Sequence, residues 1–157
     1  MRMLILGTGG MAKQHAIHFA AIPGVTVVGG VDVDPTRLEK FNAAHNIPHG
    51  FASLDAAIAW GEFDAVANVT PDSVHHVTSI AALKAGKHVF CEKPLATDAT
   101  KAFEMVDVAE KSGLINMVNL TYRNVAQLQK AREIVTSGQI GTVRHVEASY
   151  LQSWLVS

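Results

Sequence analysis

Cysteine is nearly missing from this chain. Cys91 is the single thiol among 157 residues, so no internal disulfide can form, which fits a reducing compartment. An excess of one charge is missing too: 13 basic residues stand against 14 acidic ones, a formal charge of -1. With no basic stripe along the chain, nucleic acid is not an expected partner. Long apolar runs are absent. The run Met3-Leu4-Ile5-Leu6 stops at Gly7, too short for a secretory signal and far from the roughly 18 apolar residues of a membrane span. No membrane is expected as a partner, and the expected location is the cytoplasm. Internal repeats and low-complexity linkers are lacking as well. What remains is 48% hydrophobic and 17% charged residues, the balance of a packed chain. The length allows one globular domain, or one domain and a fragment of a second.

Strand and helix signals alternate from the start. Met3 to Leu6 reads as a buried strand that ends in glycines. Ala12, Ala16, Phe19 and Ala20 mark one face of a helix, closed by Pro23-Gly24. Val25 to Val31 is a second β-branched run. Asp34-Pro35 is an N-cap followed by a first-turn proline, opening a helix from Pro35 to about His45. A short helix is expected from Ser53 to Trp60 and a strand from Ala65 to Val69. Val74, Val77 and Ala81 mark the next helix, ended by Gly86, and His88 to Phe90 the next strand. Thr97 or Asp98 caps a helix containing Phe103, Val106 and Ala109, and Leu114 to Val118 follows as a strand. A last helix around Leu128, Ala131 and Val135 precedes an alternating, strand-like segment from Val143 to about Leu151. This rhythm predicts an α/β fold, a doubly wound parallel sheet with helices on both faces.

Gly7-Thr8-Gly9-Gly10-Met11-Ala12 reads G-x-G-x-x-A, and it follows a strand and opens a helix. In that context Gly7 permits the tight turn, Gly9 lets a pyrophosphate approach the backbone, and Ala12 lets helix and strand pack closely. The helix N-terminus adds free N–H groups and partial positive charge. An acidic residue is expected about 20 positions on, at the end of the second strand. Asp32 stands there, suited to the adenosine ribose hydroxyls and repulsive toward a 2'-phosphate. NAD is therefore expected over NADP, with Arg37 able to soften the preference. The competing readings are a flavin or nucleoside site and a plain glycine-rich turn.

Glu92-Lys93-Pro94 follows the strand that ends at Phe90. Ligands of doubly wound sheets sit at the carboxyl ends of strands, so Lys93 faces the expected crevice. An ammonium there can hydrogen-bond a reacting oxygen and assist proton movement. Pro94 restricts Lys93 to extended backbone, which aims its side chain. Spacing alone equally fits a solvated Glu-Lys pair at a strand end. The histidines, including His15 and His18 at i, i+3, lack an accompanying carboxylate or cysteine set, so no metal site is expected. Cys91 reads as a small buried thiol, and Trp60 and Trp154 as packing residues.

The ordered set Gly7-x-Gly9-x-x-Ala12, Asp32, Thr70-Pro71-Asp72-Ser73-Val74-His75, Gly86-Lys87-His88-Val89, Glu92-Lys93-Pro94 and Tyr122-Arg123 resembles the glucose–fructose oxidoreductase, inositol dehydrogenase and rhizopine-catabolism (Gfo/Idh/MocA) family. The resemblance runs over essentially the whole chain. It implies an NAD(P)-dependent oxidoreductase that moves a hydride between nicotinamide and a sugar, polyol or inositol-like substrate. It implies that Thr70 and Pro71 line the cofactor path and that His75 lies near the nicotinamide end. Glu92 would contact the nicotinamide ribose, Lys93 would be the active-site lysine touching cofactor and substrate, and Arg123 would border the substrate site. Residues 1–120 would form the dinucleotide-binding domain and 121–157 the start of a second, α+β domain for substrate and homo-oligomerisation. That family's second domain carries an Asp-x-x-x-His element whose histidine serves as acid/base, and no such element follows here. The expectation is a fragment, inactive alone, that associates through Val143 to Val156. The alternatives are a non-catalytic NAD-binding module or sensor, and an NAD-dependent glycoside hydrolase.

Overall fold

A computed structural model of the chain describes residues 1–153. Trp154, Leu155 and Val156, part of the segment expected to associate, lie outside the described residues. Contacts divide the chain into one unit of Met1–Asn119 and another beginning at Leu120.

The first unit is a parallel sheet of six strands: β1 (Arg2–Leu6), β2 (Thr26–Val31), β3 (His49–Phe51), β4 (Ala65–Asn68), β5 (His88–Cys91) and β6 (Asn116–Val118). Their order is β3-β2-β1-β4-β5-β6, and every neighbouring pair is parallel. The chain winds outward from β1 to β3 and returns to build β4 to β6 on the other side. Helices α1 (Ala12–Ala20), α2 (Pro35–His45), α3 (Leu54–Trp60), α4 (Asp72–Lys84) and α5 (Ala99–Ser112) make the connections.

The side-chain period of two in β1 divides the core between the faces of the sheet. Met3 and Ile5 pack with Ala12, Ala16 and Phe41 of α1 and α2, whereas Leu4 and Leu6 pack with residues of α3, α4 and α5. Asp34 caps α2 by accepting the N–H groups of Thr36 and Arg37, both at 3.0 Å. Of the two caps anticipated for α5, Asp98 is the one used, accepting the Lys101 N–H at 2.9 Å.

The helix marked by Val74, Val77 and Ala81 is present as α4, but its buried residues are His75, Ser79, Ile80, Ala82 and Leu83, and Val77 is exposed. In α5 Phe103 and Val106 are exposed, while Met105 and Ala109, one turn apart, meet the core. Strand β3, unrecognised in the sequence, is a three-residue edge against Gly29–Val31 of β2, too short to show an alternation.

The second unit holds a 3-10 turn (Thr121–Asn124) and α6 (Ala126–Thr136). The alternating segment from Val143 is irregular among the described residues. A strand needs a neighbour for its N–H and C=O groups, and none pairs with this segment there. No helix among the described residues is long and apolar enough to cross a membrane.

Candidate dinucleotide crevice

The winding reverses between β1 and β4, and the carboxyl ends of these strands border a groove of about 580 Å³. Such a reversal is where open α/β sheets hold their ligands. Gly7, Gly9, Gly10 and Met11 line the groove, with Asp32 and Val33 just after β2, Arg37 from α2, Ser53 and Leu54 at the start of α3, and Thr70, Pro71 and Val74 around the start of α4.

Gly7 leaves β1 at φ +87°, in the left-handed region, and its N–H donates to the Val31 carbonyl at 2.8 Å. A Cβ at Gly7 would lie 2.8 Å from the Val69 oxygen and 2.9 Å from its carbon. Glycine is therefore required twice over, by conformation and by space. Gly9 and Gly10 differ: a Cβ at either would meet nothing within 4 Å. The space beside them is open, and among the described residues no acceptor takes the N–H groups of Gly9, Gly10 or Met11. Unclaimed donors at the start of a nine-residue helix, bordering open space, fit a pyrophosphate. Ala12, fully buried, lets α1 sit close to β1.

Asp32 ends β2 and is buried. One carboxylate oxygen accepts the Thr8 N–H at 2.9 Å and the Thr8 hydroxyl at 2.7 Å; the other accepts the Asp34 N–H at 2.9 Å. Arg37 lies 3.5 Å from Asp32 and 3.2 Å from Asp34. Burial pushes the Asp32 carboxyl up, but the hydrogen bonds from Asp34 and Thr8, with the Arg37 charge, outweigh it and hold the group below its ordinary range. Asp32 is thus ionised and fixed, with its charge partly offset by an exposed guanidinium.

At the end of β5 a second carboxylate is buried. Glu92 accepts from Asn119 Nδ2 at 2.7 Å and from the Lys93 N–H at 3.1 Å, and His15 Nε2 lies 2.7 Å from Oε1. Burial again pushes the acid up, and again the donors, Asn119, His15 and the Lys93 amide, more than offset it, so Glu92 too titrates below its usual range. Lys93 is exposed and its peptide bond to Pro94 is cis. His75 is fully buried rather than open to the groove: Nδ1 is 2.8 Å from the Pro94 oxygen and Nε2 2.8 Å from the Thr70 oxygen. Thr70 donates its hydroxyl to Asn68 Oδ1 at 2.7 Å. Arg123 is exposed in the 3-10 turn of the other unit, its carbonyl accepting from Gln129. Burial pushes the Cys91 thiol up to about 11, ahead of a Ser79 hydrogen bond that lowers it and the Glu92 charge that raises it, so it stays a protonated packing residue at neutral pH. Among the described residues no group of His, Cys, Asp and Glu is arranged to hold a metal ion.

Sequence reading did not identify Asn68, His15 or Asn119. Asn68, wholly buried at the end of β4, donates to Thr78 at 2.8 Å and Ser79 at 2.9 Å. Its only signal was an amide closing an apolar strand.

Residues 1–120 match the family model described as an oxidoreductase family with an NAD-binding Rossmann fold. The chain is 29% identical over 152 residues to the scyllo-inositol 2-dehydrogenase (NADP(+)) IolU of Bacillus subtilis, covering 97% of this chain and 46% of that protein. It is 30% identical over 157 residues to the 1,5-anhydro-D-fructose reductase of Ensifer adhaerens, covering 96% and 47%. Its fold matches a scyllo-inositol dehydrogenase from Lactobacillus casei, solved with NAD(H) and scyllo-inositol, at a TM-score of 0.84 and 27% identity, over 90% of this chain and 42% of that one. The chain spans about half the length of the curated relatives it matches. With this family match over most of its length and the parallel sheet described above, the chain belongs to the Gfo/Idh/MocA oxidoreductase family.

Proposed function

We propose that this chain is the cofactor-binding part of an NAD(P)-dependent oxidoreductase acting on a sugar, polyol or inositol-like substrate. The observation that carries this reading is the groove at the β1/β4 reversal, bordered by the unclaimed N–H groups of Gly9, Gly10 and Met11. In this reading those amides hold the pyrophosphate, while Asp32, fixed by Thr8 and Asp34, faces the adenosine ribose and favours NAD. Thr70 and Pro71 border the path onward. Nicotinamide, when bound, supplies the hydride acceptor at C4. The Lys93 side chain hydrogen-bonds the substrate oxygen as its charge changes. Glu92 and His75 act beneath that surface, and Arg123 borders the substrate. Residues 121–157 open the second domain.

Several solved relatives carry related ligands by their own descriptions, including NADH with a UDP-sugar acid in the WlbA dehydrogenase of Bordetella pertussis. They support a hydroxylated ring as this chain's substrate without selecting one. Calorimetric titration of the 157-residue chain with NADH and NADPH tests the proposal. Saturable NADH binding, tighter than NADPH, is expected. Binding of neither would overturn it, and NADPH preference would overturn the role given to Asp32.

A further inference from the structure

Lys93 stands between two residues that are anchored from opposite sides. Before it, the Glu92 carboxylate is buried and gripped by His15 Nε2 and Asn119 Nδ2, both at 2.7 Å. After it, the Pro94 carbonyl is gripped by His75 Nδ1 at 2.8 Å. The side chain of Lys93 itself is exposed and takes no protein partner among the described residues.

Both histidines are rigidly seated. The His15 ring lies 6.1 Å from Phe19 and 5.6 Å from Phe90, and those two rings are 5.6 Å from each other. His75 is fully buried, with its second nitrogen on the Thr70 carbonyl at 2.8 Å. They arrive from different elements: His15 from α1, behind the dinucleotide loop, and His75 from α4, behind the groove's opposite wall.

We propose that His15 and His75 are positioning residues that clamp the backbone on either side of Lys93 and so fix where its ammonium can reach. This rests on the reading of Lys93 given above. A lysine has a flexible four-carbon stem, so the accuracy of its amine depends on a fixed backbone. A misplacement of about 1 Å at a reacting group can cost on the order of 100-fold in rate. The clamp also joins the helix of the dinucleotide loop to the segment bearing the lysine, so that cofactor and amine share one frame.

The test reads the lysine directly. The chain is reductively methylated with 13C-formaldehyde, which keeps each amine charged, and the Lys93 resonance is assigned by its loss in Lys93→Arg. His15→Met fills similar space without an N–H donor, whereas His15→Gln keeps one. The Met variant is expected to broaden the Lys93 signal and move it toward the exposed Lys84 signal. The Gln variant is expected to hold it near its original position, with Lys84 and Lys101 unmoved in both. His75→Met is expected to act as His15→Met does; if it fails to fold, the His15 pair decides. A Lys93 signal unchanged in His15→Met, with the circular dichroism of the parent, would overturn the clamp. The signal is read without cofactor, so a failure to bind NADH would sink the proposed function while the clamp would still stand or fall on the Lys93 signal alone.

Discussion

Two buried carboxylates close two strands of one sheet, and they are held in different ways. Asp32, just after β2, is fixed by Asp34 in its own turn into α2 and by Thr8 of the dinucleotide loop, 24 positions back. Glu92, just after β5, accepts the adjacent Lys93 N–H but is fixed chiefly by residues 77 and 27 positions away, His15 and Asn119. At the first, the exposed side chain beside the carboxylate is Arg37, already shared between two acids. At the second it is Lys93, which pairs with no acid among the described residues. Asp32 is held partly by its own turn and borders the groove, whereas Glu92 is held mainly from other elements and lies, with Lys93, outside the residues that line it. The first design suits recognition of a fixed ligand part, and the second suits a group that must meet a changing charge.

The largest break in this comparison is expected on the Asp32 side. Gly7→Ala imposes a left-handed φ on a residue with a Cβ and drives that Cβ against the Val69 carbonyl, which is main chain just after β4 and cannot swing aside as a side chain would. A loss of about 3–5 kcal/mol is expected from strain and clash together, with NADH binding abolished. Thermal melts and calorimetry check both; a variant that melts and binds as the parent does would show that the loop can re-form. On the Glu92 side, Glu92→Ala leaves the His15 and Asn119 donors buried without an acceptor, costing about 2–3 kcal/mol in melting experiments. The pH dependence has a definite sign. The Glu92 carboxyl is held below its ordinary range in the folded chain, so the unfolded chain takes the proton first as pH falls. Its stabilisation is complete above the ordinary glutamate value of about 4.3 and is lost as pH drops below it. Glu92→Gln should therefore flatten the acid limb of a melting-temperature profile below about pH 4.3. An unchanged acid limb would mean that Glu92 contributes nothing to it.

The same contrast explains what could be read from the sequence. Gly7 to Ala12, Asp32 and the Asp34-Pro35 cap are short-range patterns whose geometry is set by neighbours, and the sheet they imply is the one observed. Lys93 was legible as a cation at a strand end, and its segment through the family resemblance. His15 was not, because nothing within a few residues of it indicates that α1 passes Glu92. His75 stands in the recognised Thr70-Pro71 motif, yet its burial came only with the packing of α4. The exposure of Val77 and Phe103 shares that origin: periodicity identifies a helix, but the sheet and the adjacent helix decide which stripe is covered. Beyond Leu120 the alternation at Val143 was real in the sequence, but among the described residues no strand pairs with it.

Smaller effects sharpen the account of the Asp32 side. Asp32→Asn keeps the shape of the side chain but removes the charge that, in the proposed reading, faces a ribose phosphate. NADPH affinity relative to NADH should rise by about tenfold, or 1.4 kcal/mol, in paired titrations. A ratio that does not move would show that the fixed carboxylate never discriminated.

The smallest effect concerns Arg37, and it depends on background. In the parent chain Arg37 lies 3.2 Å from Asp34 and 3.5 Å from Asp32 with half its side chain exposed, so Arg37→Ala should change stability by less than about 1 kcal/mol. NADH affinity should change less still, because Thr8 and Asp34 continue to hold Asp32. NADPH is different. While Asp32 is charged, the guanidinium is partly neutralised and offers little to a phosphate. Once Asp32 is neutral, Arg37 is released from one of its two acids and can serve the phosphate more fully. Arg37→Ala should therefore weaken NADPH binding more in the Asp32→Asn background than in the parent, with a coupling of about 0.5–1 kcal/mol in a double-mutant cycle. Strict additivity would mean that Arg37 answers to Asp34 alone and that the pairing with Asp32 has no energetic weight.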